Sequence, residues 1–423
     1  MRVKGHLQER WQEALRQERA LEAELGGETF QVVTRPGFPQ WEEVGQAARL
    51  LAEHAQVGRE ERVLVWPCGH GALGVWAARR SAPERVALRD TNIIAVEMAR
   101  RTLAANDCAA TNVEVALPAP ADGPFDVVLL TLPKGRDLAR LMFLAAFRSL
   151  RPGGRLYLAG ANDQGIKSAI GDAEELFGPS QLLGYRGGNR VVVLTKALVP
   201  PDELPAPYRA PGLAEGTYAT FEVALGEERY TLFSRPGVFA WRGLDPGTRL
   251  LLEVLPVRVT DEVLDVGCGY GIIGLHAARQ ATKGWTTLVD VDILATDCAR
   301  RTLAHNGAQR AEVLLGDGLA AVPGRRFSLI VSNPPFHSGH ETSGEIVEAL
   351  VREAYAALEP RGRLVVVANR FLPYDRLMGA VFGAVETLAQ TPQYHVLSAD
   401  KVFRRKERGK PHRRPTEEDS WNF

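Results

Sequence analysis

No apolar run in this 423-residue chain approaches the roughly 18 residues that a membrane-spanning helix needs. The opening stretch MRVKGHLQERWQEALRQ, residues 1–17, is too charged for a secretion signal. Cysteine is scarce, and Cys68, Cys108, Cys268 and Cys298 stand far apart with no C-x-x-C pair, which signals neither a disulfide framework nor a zinc site. These four are expected to be small buried side chains in a cytoplasmic protein. Charge of one sign is also missing: 51 basic residues balance 51 acidic ones, so no global field draws the chain toward nucleic acid. The exception is local. From Lys401 to Arg414 eight Lys and Arg stand against one acid, Glu407, a run that suits either phosphate contact or a solvated tail.

What the chain does have is the composition of a globular protein, 45% apolar and 24% charged, with length for two or three domains. It also repeats itself. ERVLVWPCGHGALGVWAARR begins at Glu61 and DEVLDVGCGYGIIGLHAARQ at Asp261, an ungapped offset of 200 that also relates TRPGFPQW at Thr34 to SRPGVFAW at Ser234 and ARRTLAAN at Ala99 to ARRTLAHN at Ala299. FDVVLLTLPK at Phe125 likewise parallels FSLIVSNPPF at Phe327. Two copies of one unit of roughly 190 residues follow, with boundaries expected at 1–197 and 213–423 and a proline-rich linker at 198–212. Each copy alternates short apolar strands with helical stretches, the pattern of an α/β fold with a doubly wound, mainly parallel sheet. Ligands of such sheets sit beyond the C-terminal strand ends.

In the second copy the strand ending at Val266 runs into Gly267-Cys268-Gly269-Tyr270-Gly271-Ile272-Ile273-Gly274. Glycines here permit a tight turn and a close approach of backbone N–H groups to a ligand at a helix N-terminus. Gly269, Gly271 and Gly274 also fit the dinucleotide fingerprint, so a nicotinamide dehydrogenase is one reading. Three acids at the same rim favour another. Asp265 precedes the glycines, Asp290 ends the next strand where a carboxylate accepts from ribose hydroxyls, and Asp317 follows the third. Three carboxylates and no Lys or Arg in the loop repel a pyrophosphate and suit S-adenosylmethionine, which carries an amino group and a sulfonium but no phosphate. Turn capping by Asp265 and turn initiation by Asp317 are the plain alternatives.

The apolar run Phe327–Val331 stops at Asn333-Pro334-Pro335-Phe336-His337, because proline cannot continue a central strand. The motif is a Pro-rich turn on one reading. On the other it is a fixed amide, a fixed carbonyl and a flat ring at the end of a sheet.

Together, Asp265-Val-Gly-Cys-Gly-Tyr-Gly, Asp290, Asp317 and Asn333-Pro-Pro-Phe resemble the class I S-adenosylmethionine-dependent methyltransferases that act on exocyclic amines. With the upstream SRPGVFAWRGLDPGTRLLLE and the duplication, the chain is similar to the bacterial ribosomal RNA small-subunit methyltransferase C group and its large-subunit relatives, which methylate N2 of guanine in ribosomal RNA. The resemblance implies two tandem Rossmann-like class I methyltransferase domains. It implies a cofactor site of Asp265, Gly267, Gly269, Gly271, Asp290, Asp317 and Asn333, and catalysis by Asn333, Pro334 and Phe336. It implies acceptor contacts from Asn333, Pro335, Phe336 and His337. The partner would be ribosomal RNA or the small subunit, with no metal, no membrane and a monomeric enzyme.

The first copy has lost much of this. Val65 replaces Asp265, the glycine loop reads Trp66-Pro67-Cys68-Gly69-His70-Gly71, and the motif at the strand end reads Thr131-Leu132-Pro133-Lys134, although Asp90 survives. We expect a non-catalytic domain that packs against the second and helps hold RNA or the fold. Glu9 to Glu24 reads as a charged surface helix with Trp11 and Leu15 at helical spacing. Phe239 is either a border of the cofactor or a core aromatic, and His276 with His305 gives no metal-ligand spacing. The rivals to this reading are an adenine-N6 or protein-glutamine methyltransferase, and an RNA-binding or assembly protein with a vestigial cofactor site.

Overall fold

The structure, a computed structural model, describes residues 18–35, 43–199, 203–214, 216–334 and 340–402, without the side chains of 340–346. The first half opens with a hairpin, β1 (Arg19–Leu25) and β2 (Glu28–Thr34). Its sheet follows as β3 (Val63–Trp66), β4 (Val86–Asp90), β5 (Asn112–Val115), β6 (Phe125–Thr131), β7 (Leu150–Ala161), β8 (Gln181–Arg186) and β9 (Asn189–Thr195). The second half repeats the plan. Its hairpin is β10 (Ala219–Leu225) and β11 (Glu228–Ser234), and its sheet is β12 (Glu262–Val266), β13 (Trp285–Asp290), β14 (Ala311–Leu315), β15 (Phe327–Ser332), β16 (Leu358–Asn369), β17 (Glu386–Gln390) and β18 (Tyr394–Asp400).

The strand orders are β5-β4-β3-β6-β7-β9-β8 and β14-β13-β12-β15-β16-β18-β17. Five neighbouring strands in each pair in parallel, and the last two join the edge through antiparallel pairings. The central strands are covered by helices on both faces, so the middles of β12 and β15 are buried, Val263 and Leu264 in the first and Leu329, Ile330 and Val331 in the second. Gly274, in the helix Ile272–Gln280, shows how close that cover is: a Cβ there would lie 2.4 Å from Leu288 Cγ on β13.

One expectation fails. Residues 19–24 of the helix expected over Glu9–Glu24 are strand, because Leu21, Ala23 and Leu25 face inward at a period of two and pair with β2. Trp11 and Leu15 lie outside the described residues, as does the basic run from residue 403. The proline-rich stretch also packs: the Tyr208 ring is fully buried in the first half, its hydroxyl donating to the Asp172 carbonyl, while Ala210 packs against the core of the second. All four cysteines are buried and free.

The halves meet where β4 and β13 end. Ile93 N donates to Val291 O and Ile293 N to Thr91 O, both at 2.9 Å, and Asn92 bridges Asp292. The Thr91 hydroxyl adds a 2.8 Å bond to Asp292. Leu141, on the helix Arg136–Ser149 of the first half, is buried in the core of the second.

Candidate active site

The strand order sets the site. β14, β13, β12 and β15 are neighbours and parallel, so the residues that follow their C-terminal ends, Asp317, Asp290, the glycine loop and Asn333, share one rim. Ser332 fixes the end of β15 to β12 by donating its hydroxyl to Val266 O at 2.7 Å.

The loop itself is held from three sides. Gly271 has φ +86°, and a Cβ on it would meet Ala299 Cβ at 3.0 Å, so both conformation and space call for glycine. Gly269 N donates to Asp290 at 2.9 Å. Tyr270 is buried, edge-on to Phe221 of β10, with its hydroxyl 3.3 Å from Gly243 O. The segment after β11 lies over this loop, with Val238 Cγ1 the near neighbour of Gly269. Phe239 beside it is 48% exposed, which rules out the core-aromatic reading.

Asp265 is fully buried. Its Oδ2 accepts from Gly274 N at 2.8 Å, anchoring the first turn of the helix, whereas its Oδ1 has no hydrogen-bond partner among the described residues. Burial pushes this carboxyl up to about 7, against which the Gly274 hydrogen bond works. Burial likewise raises Asp290 to about 6, with the N–H groups of Gly269 and Asp292 pulling down. Asp317 precedes the 3-10 turn Gly318–Ala321, yet its side chain caps nothing there. The capping alternative thus holds for one oxygen of Asp265, and Asp317 does start a turn, through its backbone carbonyl, which leaves its carboxylate free of that turn.

Asn333 is oriented by residues that the sequence did not single out. Its Nδ2 donates to Thr248 Oγ1 at 2.8 Å, and Thr248 Oγ1 in turn lies 3.4 Å from Asp245 Oδ2, which also accepts from Thr248 N at 2.9 Å. A carboxylate can only accept, so the hydroxyl proton points to Asp245 and the hydroxyl oxygen faces the amide nitrogen. Asn333 Oδ1 is therefore turned the other way. It is shielded from water and has no partner among the described residues. Asp245 and Thr248 belong to LDPGTRL, where Asp245 caps the helix Pro246–Val254, and nothing in the sequence pattern marks either as a support for Asn333.

Pro334 is buried behind Asn333, while Pro335, Phe336 and His337 lie outside the described residues. Beyond the end of β16, at the same edge of the sheet, Phe371 is 74% exposed. The pairing of β16 with β18 and of β7 with β9 makes Asp163 its counterpart in the first half. His276 bonds Tyr230 and Gln280, and His305 packs edge-on to Phe233.

In the first half, Gly69 N still donates to Asp90, at 3.1 Å, and burial raises that carboxyl to about 6. The loop scaffold thus survives where the acceptor motif does not. Val65 leaves no carboxylate beneath the loop, and Leu132 stands where the second half has Pro334, packed against Gly160 of β7. Clefts of about 590 and 450 Å³ lie between the hairpin tips and the helices Gln46–His54 and Pro246–Val254. They occur in both halves alike, so they belong to the shared fold rather than to the half that keeps the acceptor motif.

The methyltransferase small domain matches this chain twice, at residues 29–192 and 229–398. The ribosomal RNA small subunit methyltransferase C of Stutzerimonas stutzeri is 38% identical over 283 residues, 66% of this chain and 81% of its own length. The protein of the same name from Salmonella choleraesuis is 32% identical over 272 residues, 64% of this chain and 74% of its own. Among solved structures, a T. thermophilus 16S rRNA N2 methyltransferase in complex with AdoMet and guanosine superposes with a TM-score of 0.74 at 30% identity. That match covers 92% of this chain and 99% of the other. With the duplicated sheet, the carboxylate rim and these matches, the chain belongs to the methyltransferase small domain family, whose domain it carries in tandem.

Proposed function

We propose that this chain transfers a methyl group from S-adenosylmethionine to the N2 amine of a guanine in small-subunit ribosomal RNA, and that the second half carries the reaction. The observation that supports this reading most directly is the pair of unpartnered buried acceptors, Asp265 Oδ1 and Asn333 Oδ1, on neighbouring strands of one rim. A buried acceptor without a donor costs about 1–3 kcal/mol, so each calls for a ligand that donates. An ammonium group suits the first and an exocyclic amine the second. The rim residues thus fit the cofactor: Asp265, Gly267, Gly269, Gly271, Asp290, Asp317 and Asn333 would hold it. When bound, it supplies an electrophilic methyl on a sulfonium.

The residues of the chain then act on the amine. Its lone pair is delocalised into the base, which makes it a poor nucleophile. In this reading Asn333 Oδ1 and the Pro334 carbonyl each accept one N–H, which lets the nitrogen pyramidalise and turn its lone pair toward the methyl group. The same acceptors draw off the proton that becomes acidic on methylation. Pro335, Phe336 and His337 hold the base, with Phe336 stacking on its face for about 1–3 kcal/mol. A paired guanine must leave its stack to reach the rim. The remainder is in-line positioning.

The division into a non-catalytic 1–197, a connecting 198–212 and a catalytic 213–423 is part of the proposal, supported by the loss of the acceptor motif from the first half. So are a cytoplasmic location and a monomeric state, the latter because each half already has its partner within the chain. No helix among the described residues is long and apolar enough to cross a membrane. The test is transfer of labelled methyl to small subunits or ribosomal RNA stripped of methylation, with nucleoside analysis. Label is expected in N2-methylguanosine and is expected to vanish in Asn333→Ala; label in N6-methyladenosine or in protein would assign the rim to a different amine.

A further inference from the structure

We propose that Arg35 of the first half is a positioning residue of the cofactor site in the second, and this rests on the reading just given. Arg35 Nη2 lies 2.8 Å from Asp317 Oδ2, across the junction between the halves. The arginine is 14% exposed and the aspartate 37%, so the pair is neither free in solvent nor sealed from the rim. The contact is to one oxygen only. Among the described residues nothing bonds Asp317 Oδ1, which stays available to accept from an N–H of a bound nucleoside.

The arginine is not a loose surface side chain. It follows β2 directly, where Val33 N is held by Thr102 Oγ1 at 2.9 Å on the helix Ile93–Ala105. The same helix starts at the junction, with Ile93 N on Val291 O. From the junction to the guanidinium there is thus a short, bonded path.

The repeat supplies an internal control. The counterpart of Arg35 is Arg235, and that of Asp317 is Leu117. Arg235 turns inward instead, donating to Gly212 O at 3.4 Å and lying over the Tyr218 ring, while Leu117 packs with the apolar residues of the junction. Of the two equivalent places where such an ion pair could form, it exists only beside the half that keeps the acceptor motif. A purely mechanical strut would have no reason to follow the intact site. The first half, though without its own acceptor machinery, therefore supplies one residue to the working site.

The test is calorimetric titration of the full chain and its variants with S-adenosylhomocysteine and with S-inosylhomocysteine, which carries an oxo group in place of the adenine amine. For Arg35→Ala the affinity for the adenosyl ligand is expected to fall about tenfold, the effect of one charge-supported hydrogen bond. The preference over the inosyl ligand should fall with it, and in transfer assays the rise should appear in KM for the cofactor more than in kcat. In an Asp317→Asn background, Arg35→Ala should have no further effect. Unchanged affinity and unchanged preference in Arg35→Ala, with only a lowered Tm, would reduce the pair to a strut and overturn the proposal. Should that variant not fold, Arg35→Lys carries the same test, since it keeps the charge but loses the forked geometry. Wild-type protein that binds neither ligand would instead overturn the functional reading itself, before any variant is compared.

Discussion

Asn333 can offer its oxygen to an amine because Thr248 holds its nitrogen, and Thr248 can do so because Asp245 takes the hydroxyl proton. Replacing Thr248 with Val removes the acceptor and frees the amide to rotate. Single-turnover methyl transfer is expected to slow roughly 10–100-fold, about 1.4 kcal/mol per decade, with cofactor affinity within about twofold of wild type, whereas Thr248→Ser should keep most of the rate. Asp265 makes a prediction about pH. Its carboxyl is raised by burial to about 7, so the folded chain binds a proton between about 4 and 7 that the unfolded chain has lost. Ligand-free stability should therefore fall as pH rises through that window, while affinity for a cationic cofactor rises as the carboxyl ionises. Asp265→Asn keeps an acceptor for Gly274 N but never ionises. It is expected to raise the ligand-free Tm by a few degrees at pH 8, to weaken cofactor binding and to reduce its pH dependence to that left by Asp290, all measurable by thermal shift across pH with and without cofactor. The acids and the asparagine of the site were legible in the sequence because each sits at the abrupt end of an apolar run. Thr248, Asp245 and Arg35 were not, since Thr248 stands 85 residues from Asn333 and Arg35 stands 282 from Asp317, and only the fold brings them to the rim.

At the scale of elements, the parallel strands and their helices could be read from the sequence because buried strands are continuous apolar runs and the repeat marks each boundary twice. The hairpins and the antiparallel edge strands could not. Their alternation is short and partly exposed, as in β1, where Arg19-Ala-Leu-Glu-Ala-Glu-Leu has the charge content of a surface helix and only pairing with β2 decides for strand. Helix-to-sheet contact is tightest at Gly274. Gly274→Ala would drive a methyl into Leu288, which is fully buried and cannot swing aside, so a loss of about 1–3 kcal/mol is expected in denaturant unfolding. The loop after β16 gives an opposite case. Phe371 is largely exposed, so Phe371→Ala should leave stability nearly unchanged. If RNA stacks on the ring, the variant raises KM for RNA about fivefold or more without moving cofactor affinity.

Over the whole molecule, the two halves share more than a covalent connection. Leu141 from the first is buried in the core of the second, and backbone bonds cross the junction in both directions. One cooperative transition is expected for the wild type in calorimetry. Leu141→Asp, which places a charge in an apolar setting, should split it into two and lower the cofactor affinity of the second half along with its Tm. The crossing bonds have a further meaning. Ile93 to Val291 and Ile293 to Thr91 are the same bond written twice, equal in length, each donor and each acceptor exchanged for its counterpart in the other half. Reciprocal contacts of this kind are what an isologous two-fold interface makes between identical subunits. At this junction the chain carries, within one polypeptide, the contact pattern of such an interface. In a dimer of identical subunits any change at one reaction centre is imposed on both. Within one polypeptide, one centre can be kept and its twin released, and the twin is then free to be shaped as part of its neighbour.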